Sequence, residues 1–194
     1  MNNNVSPIPI GKIEIVGLVL FFAGVISRML HFPFSGPITV ISLATLACVY
    51  IIGAFEILII KEGEKPYTFL NIATGFLLAI ACIGILFRLM YWPFSKIHLT
   101  IAYVGLPIVF MGLYVVKEKV VFKETAKMYL LKLIRVTAFF AVAATLYSIS
   151  LKTQIAIENW DDAEMARLKY KYISNQSNPQ YKEEYLQYRK TKLK

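Results

Sequence analysis

Five long apolar stretches constrain the fold of this chain more than any other feature. Each is close to the ~20 residues that an α-helix needs to cross ~30 Å of hydrocarbon. Their continuous apolarity excludes the alternating pattern of a membrane β-barrel. The sequence therefore predicts an all-α, polytopic membrane helical bundle with five transmembrane helices. The stretches are Ile13–Leu30, Pro37–Ile60, Phe69–Met90, Ile97–Val116 and Tyr129–Leu151.

An internal repeat relates the first four stretches. The sequence RMLHFPFS, which begins at Arg28, returns 60 residues later as RLMYWPFS, which begins at Arg88. Matches continue on both sides of the phrase, including Gly24 with Gly84. We therefore predict a duplicated helical hairpin, with one copy at residues 13–60 and the other at residues 69–116. Because each copy has two spans, both are expected to have the same orientation.

The repeated phrase has the composition of a tight turn at the membrane interface. Proline disfavours helix at the residue before it, so the first helix of each hairpin is expected to stop there. An arginine in the last helical turn faces the negative end of the helix dipole and can reach lipid headgroups. Aromatic residues are typical of the interface. The motif residues are Arg28, His31, Phe32 and Pro33 in the first copy, and Arg88, Tyr91, Trp92 and Pro93 in the second.

Basic residues near the short loops predict the orientation. Seven lie on the side of the N-terminus and three on the side of the hairpin turns. The positive-inside rule then places the N-terminal segment, residues 1–12, and the basic loop, residues 117–128, in the cytoplasm. Five spans then leave the tail on the outer face of the membrane. The seven are Lys12, Lys61, Lys65, Lys117, Lys119, Lys123 and Lys127, and the three are Arg28, Arg88 and Lys96.

A charged, tyrosine-rich tail, residues 152–194, follows the fifth span, residues 129–151. The segment IAIENWDDAEMARLKYKYI predicts one helix, SNQSNPQ predicts a break, and a last helix places Tyr181, Tyr185 and Tyr188 on one face. Such a stripe is typical of a helix docked on a partner or a membrane surface. The formal charge of +9 lies in loops and tail, where it favours lipid headgroups over nucleic acid.

Few side chains indicate chemistry. Glu56, near the end of the second span, is the best candidate for ion handling, although a salt-bridged interfacial carboxylate is the simpler interpretation. Glu14 is interpreted as a helix-start carboxylate, and Lys132 and Arg135 are expected to extend toward one headgroup layer. The only histidines, His31 and His98, are not equivalent in the repeat, so they predict no ligand pair.

No catalytic motif, metal site or cofactor is predicted, and we expect the protein not to be an enzyme. Both cysteines, Cys48 and Cys82, lie inside apolar stretches, which indicates buried hydrophobes rather than a zinc site or a disulfide. Small residues at helical spacing let membrane helices approach closely. The predicted packing residues are Gly24, Gly84, Gly105 and Gly112.

The phrase FAGVISRMLHFPFSGPITVISLATL resembles the membrane hairpin of GldL, a component of the bacterial gliding and type 9 secretion machinery. Arg28, His31, Phe32 and Pro33 correspond to the basic residue, His, aromatic residue and Pro that end its first helix. The second copy has Tyr91 in place of the His. The resemblance implies a GldL-like hairpin module in a bacterial inner membrane, so that the outer face, and with it the tail, lies in the periplasm. GldL's own acidic residue would fall near Tyr50, where this chain has no acid.

Three functional hypotheses follow. The first is a non-enzymatic membrane subunit that lies in a lipid bilayer and assembles with a membrane-protein partner or with further copies of itself. The second is a proton- or cation-handling motor or channel subunit that uses Glu56. The third is a DoxX-like redox or quinone-binding membrane protein, because those proteins are also small helical membrane bundles.

Overall fold

The computed structural model describes residues 10–32, 34–56, 68–119 and 123–192. Every regular element in this part of the chain is an α-helix, as the sequence predicted. The helices are α1 (Ile10–Met29), α2 (Ser35–Glu56), α3 (Thr68–Leu89), α4 (Ser95–Lys119), α5 (Lys123–Ser148), α6 (Leu151–Glu158), α7 (Ala163–Ser174) and α8 (Pro179–Lys192).

Four of these helices are long and apolar enough to cross a membrane, which confirms a multi-pass membrane protein. The spanning segments are Ser35–Ala54, Thr68–Leu89, Ser95–Glu118 and Ala126–Ser148. Helix α1 is not one of the four, and it carries Lys12, Glu14 and Arg28 within its 20 residues. The predicted fifth span stays a prediction.

Helix α3 forms the centre of the bundle. It packs against α2, α4 and α5, whereas α1 packs on α2. Ile85 of α3, Leu106 of α4 and Val136 of α5 are buried at these contacts. Burial against three neighbours fits the composition of α3, which is the most apolar of the four candidate spans, because a buried polar side chain needs a partner to replace water.

The four predicted packing glycines all lie where two helices meet. An added Cβ at Gly24 would come within 2.8 Å of the Thr39 hydroxyl oxygen on α2, and one at Gly84 within 3.1 Å of the His98 Cβ on α4. Gly105 and Gly112 of α4 face leucine side chains of α3, Leu77 and Leu70 respectively. These glycines therefore lie at the α1–α2 and α3–α4 contacts.

The two hairpin turns have the same backbone hydrogen bonds. The amide of His31 donates to Arg28, and that of Phe32 donates to Ser27, with the same pair of bonds from Tyr91 and Trp92 in the second turn. His31 and Tyr91 adopt left-handed backbone angles, with φ of 58° and 57°. This is the Schellman pattern that closes a helix C-terminus.

This geometry corrects the predicted helix ends. The helices were expected to continue to the residue before each proline, but α1 ends at Met29 and α3 at Leu89. The chain leaves the helix at the left-handed residue, which lies two positions before the proline. The amide of this residue bonds to one of the terminal carbonyls that the helix leaves unpaired. Pro33 lies outside the described residues, and Pro93 is exposed.

The predicted basic loop, residues 117–128, is also corrected. Helix α4 continues to Lys119 and α5 already begins at Lys123, so most of this segment is helical. Residues 120–122 lie outside the described part of the chain. The segment KETAKM is rich in strong helix formers, so the helices extend past their apolar portions.

The tail forms three helices instead of the expected two. The single helix predicted over residues 155–173 is broken between α6 and α7, where Asp162 caps α7 by accepting a hydrogen bond from the Met165 amide at 2.9 Å. Asp is favoured at such a cap, and this local signal outweighed the apolar periodicity. The tyrosine stripe of α8 faces α7 of the same chain, where Tyr185 stacks on Tyr172 with ring centroids 5.7 Å apart.

Gly75 and Gly53 make a matched test of the close α2–α3 packing. An added Cβ at Gly75 would come within 2.5 Å of the Ala54 Cβ and 2.6 Å of the Tyr50 carbonyl oxygen, whereas one at Gly53 meets no described atom within 4 Å. We expect Gly75→Ala to lower the free energy of unfolding by about 1–3 kcal/mol, as overpacking does. Gly53→Ala should leave it unchanged or raise it. Thermal unfolding in detergent measures both, and equal stability of the two variants would contradict the packing.

Candidate functional site

A buried carboxylate at the end of α6 joins the tail to the hairpin turns. The Glu158 side chain is 10% exposed, and its Oε2 lies 3.2 Å from Nε of Arg28 and 2.9 Å from Nζ of Lys169. The Tyr91 hydroxyl donates to the same oxygen at 2.5 Å, and Gln154 donates to Oε1 at 3.1 Å. We call these five residues the Glu158 cluster. They come from the first turn, the second turn and the tail.

The Tyr91 ring lies between two cations. The Arg28 guanidinium is 5.4 Å from the ring centroid, and the Lys169 ammonium is 5.0 Å from it. Cations at this distance from an aromatic ring are attracted by its quadrupole, and more strongly where water is excluded. Tyr91 therefore holds the cluster together with both its ring and its hydroxyl.

The charges of the cluster explain its pKa shifts. Burial by itself would raise the pKa of the Glu158 carboxyl, but Lys169 and then Arg28 overcome this, and the pKa lies below its ordinary value. Burial, followed by the negative charge of Glu158, raises the pKa of the Tyr91 phenol, so the phenol keeps its proton and donates it. Burial also lowers the pKa of Lys169, and the negative charge of Glu158 offsets this lowering only in part.

Equivalent residues of the two turns each contact a tail carboxylate. Tyr91 binds Glu158, and His31, its counterpart in the repeat, lies 3.0 Å from Oδ1 of Asp161 through Nε2. The two arginines also have tail-side partners, because Arg88 donates to the Ile149 carbonyl at the end of α5 at 2.6 Å. The repeated phrase thus holds the end of α5 and the tail in addition to making two turns.

A cavity of about 780 Å³ lies between the hairpin turns and the tail. Its walls combine apolar residues of the turns, such as Phe32 and Trp92, with charged residues of the tail, such as Arg189 and Lys192. Its volume falls within the range of small-ligand sites, about 300–1,000 Å³.

A second polar cluster lies inside the bundle, at its other end. Glu14 of α1 is 5% exposed and accepts hydrogen bonds from Tyr50 of α2 at 3.0 Å and from Arg135 of α5 at 2.5 Å. Lys132 of α5 donates to Asn71 of α3 at 2.5 Å. The interpretation of Glu14 as a simple helix-start carboxylate is therefore wrong, and so is the expectation that Lys132 and Arg135 extend toward headgroups. Internal partners satisfy these groups where water is scarce.

The remaining predicted site residues have simpler surroundings. Glu56 ends α2, and its side chain lies outside what the structure describes. Phe32 is exposed, Trp92 packs edge-on against Phe87, and His98 bonds to the Phe94 carbonyl at 3.0 Å. Among the described residues, no group of three or more His, Cys, Asp or Glu side chains could hold a metal ion.

Sequence reasoning missed Glu158, Asp161 and Lys169. All three were assigned to one polar tail helix, and nothing in that pattern distinguishes a buried acid from a solvated one. The only available signal was the pair Asp161–Asp162 in the middle of a predicted helix, since aspartate favours helix caps over helix interiors. No protein-family model, curated protein or solved structure matches this chain.

The variant Tyr91→Phe isolates the hydroxyl of the cluster. It keeps the ring between Arg28 and Lys169 but removes a hydrogen bond to a carboxylate, so we expect the docked tail to lose about 1.5–3 kcal/mol. Hydrogen exchange of α6 and α7 amides should become at least tenfold faster. Tyr170→Phe on the exposed side of α7 is the control, and equal exchange in both variants would show that the hydroxyl contributes nothing.

The depressed pKa of Glu158 predicts how docking depends on pH. A carboxyl with a lowered folded-state pKa contributes stability above its ordinary pKa of 4.5, and this is lost as the pH falls through the folded-state pKa. The tail should therefore stay protected from hydrogen exchange down to pH 4.5 and lose protection below it. Rates are corrected for intrinsic exchange, and loss of protection well above pH 4.5 would contradict the assignment.

Proposed function

We propose that this protein is a non-enzymatic, multi-pass subunit of a bacterial inner membrane that assembles with partner membrane proteins or with further copies of itself. The resemblance of its hairpin to that of GldL favours a complex of the motility or secretion type. The Glu158 cluster carries the proposal. It holds the tail in one position over both turns, and a fixed tail offers a defined surface to a partner.

The geometry of the turns supports a duplicated hairpin and a fifth span. Both turns close with the same hydrogen bonds, and both contact the tail. Turns that bind one tail lie on one side of the membrane, which fits two hairpins of the same orientation with α1 as a span. With the N-terminus in the cytoplasm, the turns and the tail lie in the periplasm.

The inner structure of the bundle supports a structural rather than a catalytic role. Glu14, Tyr50 and Arg135 connect three helices through one ion pair and one hydrogen bond. Breaking a buried pair of this kind is strongly destabilising, because it leaves an uncompensated charge away from water. Together the two clusters fix the bundle at one end and the tail at the other.

Co-purification of the tagged full chain from its native membranes tests the proposal. Glu158→Gln leaves Arg28 and Lys169 without their carboxylate, so we expect recovery of the partner, or of a second tagged copy, to fall at least tenfold. Glu164→Gln removes the same charge from an exposed site on α7, where Glu164 pairs with Arg167, and should retain the partner. Equal helix content and elution in detergent check that each variant folds.

The same preparation separates the competing hypotheses. A chain that elutes alone at its monomer mass, or a partner retained by Glu158→Gln, would contradict assembly through the tail. Ion handling through Glu56 instead predicts that Glu56→Gln abolishes the cellular phenotype while the complex stays intact. A redox protein predicts a bound chromophore or quinone in the purified sample.

A further inference from the structure

The charges that line the cavity between turns and tail do not balance. Lys192 lies 3.2 Å from Oδ2 of Asp162, and His31 is bonded to Asp161. Arg28 and Lys169 share the Glu158 carboxylate as their ion-pair partner. Arg189 also lines the cavity but has no carboxylate partner among the described residues. With histidine counted as neutral, the lining leaves a surplus of one positive charge, since four cations face three carboxylates: Arg28, Lys169, Arg189 and Lys192 against Glu158, Asp161 and Asp162.

We propose that this cavity binds the phosphate group of a net-anionic molecule, either a membrane phospholipid or a soluble phosphate ester. The inference goes beyond the assembly role and does not depend on it. A guanidinium matches two phosphate oxygens with parallel hydrogen bonds, and an ammonium adds a point charge. Arg28, Lys169 and Arg189 all line the cavity and together offer both kinds of group.

The electrostatics of the cavity support this assignment. Burial is the main cause that lowers the pKa of Lys169, but Arg28 and Arg189 lower it further against the opposing effect of Glu158. Arg28 and Arg189 therefore each lie close enough to Lys169 to repel its charge. An anion among them would relieve that repulsion, whereas a neutral or cationic ligand would not.

The position of the cavity favours a lipid headgroup as the source of the phosphate. Its floor is made by the two hairpin turns, beside the ends of α2, α3 and α4, which are apolar enough to span the membrane. Phe32, Met90 and Trp92 line this side, where acyl chains and glycerol would lie. Basic residues at this level are the usual contacts of anionic headgroups.

Arg189 and Lys190 provide a matched pair of variants on α8. Both side chains are exposed, but Arg189 lines the cavity and its neighbour Lys190 does not. Among the described residues Arg189 forms no ion pair, so Arg189→Gln should leave hydrogen exchange of α6 and α7 unchanged. Each variant removes one positive charge, so any difference between them reports position rather than net charge.

Native mass spectrometry of the delipidated full chain in detergent measures binding to added phosphatidylglycerol or phosphatidylcholine. We expect a preference for phosphatidylglycerol, and about tenfold weaker binding in Arg189→Gln, as for one lost charge-assisted hydrogen bond. Lys190→Gln should bind as the unchanged chain does. Inorganic phosphate is the third probe. If it binds in the same Arg189-dependent way without any lipid preference, the source is a soluble phosphate ester.

Three outcomes would overturn the proposal. One is that neither phosphatidylglycerol nor inorganic phosphate binds in a way that depends on Arg189. Another is that Lys190→Gln weakens binding as much as Arg189→Gln, which would indicate general surface electrostatics. The third is Arg189-dependent binding of an acidic peptide such as hexaglutamate with no phosphate binding, which would assign the cavity to a carboxylate-bearing protein. None of these outcomes bears on co-purification of a partner.

Discussion

The buried Glu158 carboxylate is the constraint on which the arrangement of the tail depends. A charge in a site that excludes water is tolerated only when other charges and hydrogen bonds replace its hydration. Here those groups come from α1, from the second turn and from α7, so they can meet only when the tail lies over both turns. The cluster therefore selects one tail position, even though a buried ion pair of this kind adds little net stability by itself.

The left-handed residues of the turns aim the side chains that make this possible. Histidine is among the residue types enriched at positive φ, whereas a bulky tyrosine there costs about 1–3 kcal/mol. Tyr91 keeps this position because its ring fits between two cations and its hydroxyl bonds to Glu158. His31 reaches only exposed Asp161. The two turns have the same backbone hydrogen bonds, but Tyr91 makes more contacts with the tail than His31 does.

The sequence was sufficient for the helices of the bundle but not for the contacts of the tail. Long apolar stretches and the 60-residue repeat can be read directly from the sequence, and they predicted the four helices that can span a membrane and the positions of both turns. The contact between Arg28 and Glu158 joins residues 130 positions apart, and no periodicity connects them. Glu14 was misjudged for the same reason, because its partner Arg135 is 121 residues away. In both cases the type of side chain was informative, but its partner was not predictable.

Helix α5 makes the surroundings of the α3–α4 pair different from those of the α1–α2 pair. Helix α5 packs on α3 and α4, so the second hairpin is covered on a face that the first leaves open. Helix α3 then buries Ala81, Cys82 and Ile85, whereas α1 exposes Ile15, Val19 and Phe22 to its surroundings. At one end of the bundle, the long Arg135 side chain of α5 donates a hydrogen bond to Glu14 and so connects α5 to α1. At the other end the chain that follows α5 returns over the turns, and Glu158 connects the end of α1 to the rest of the molecule.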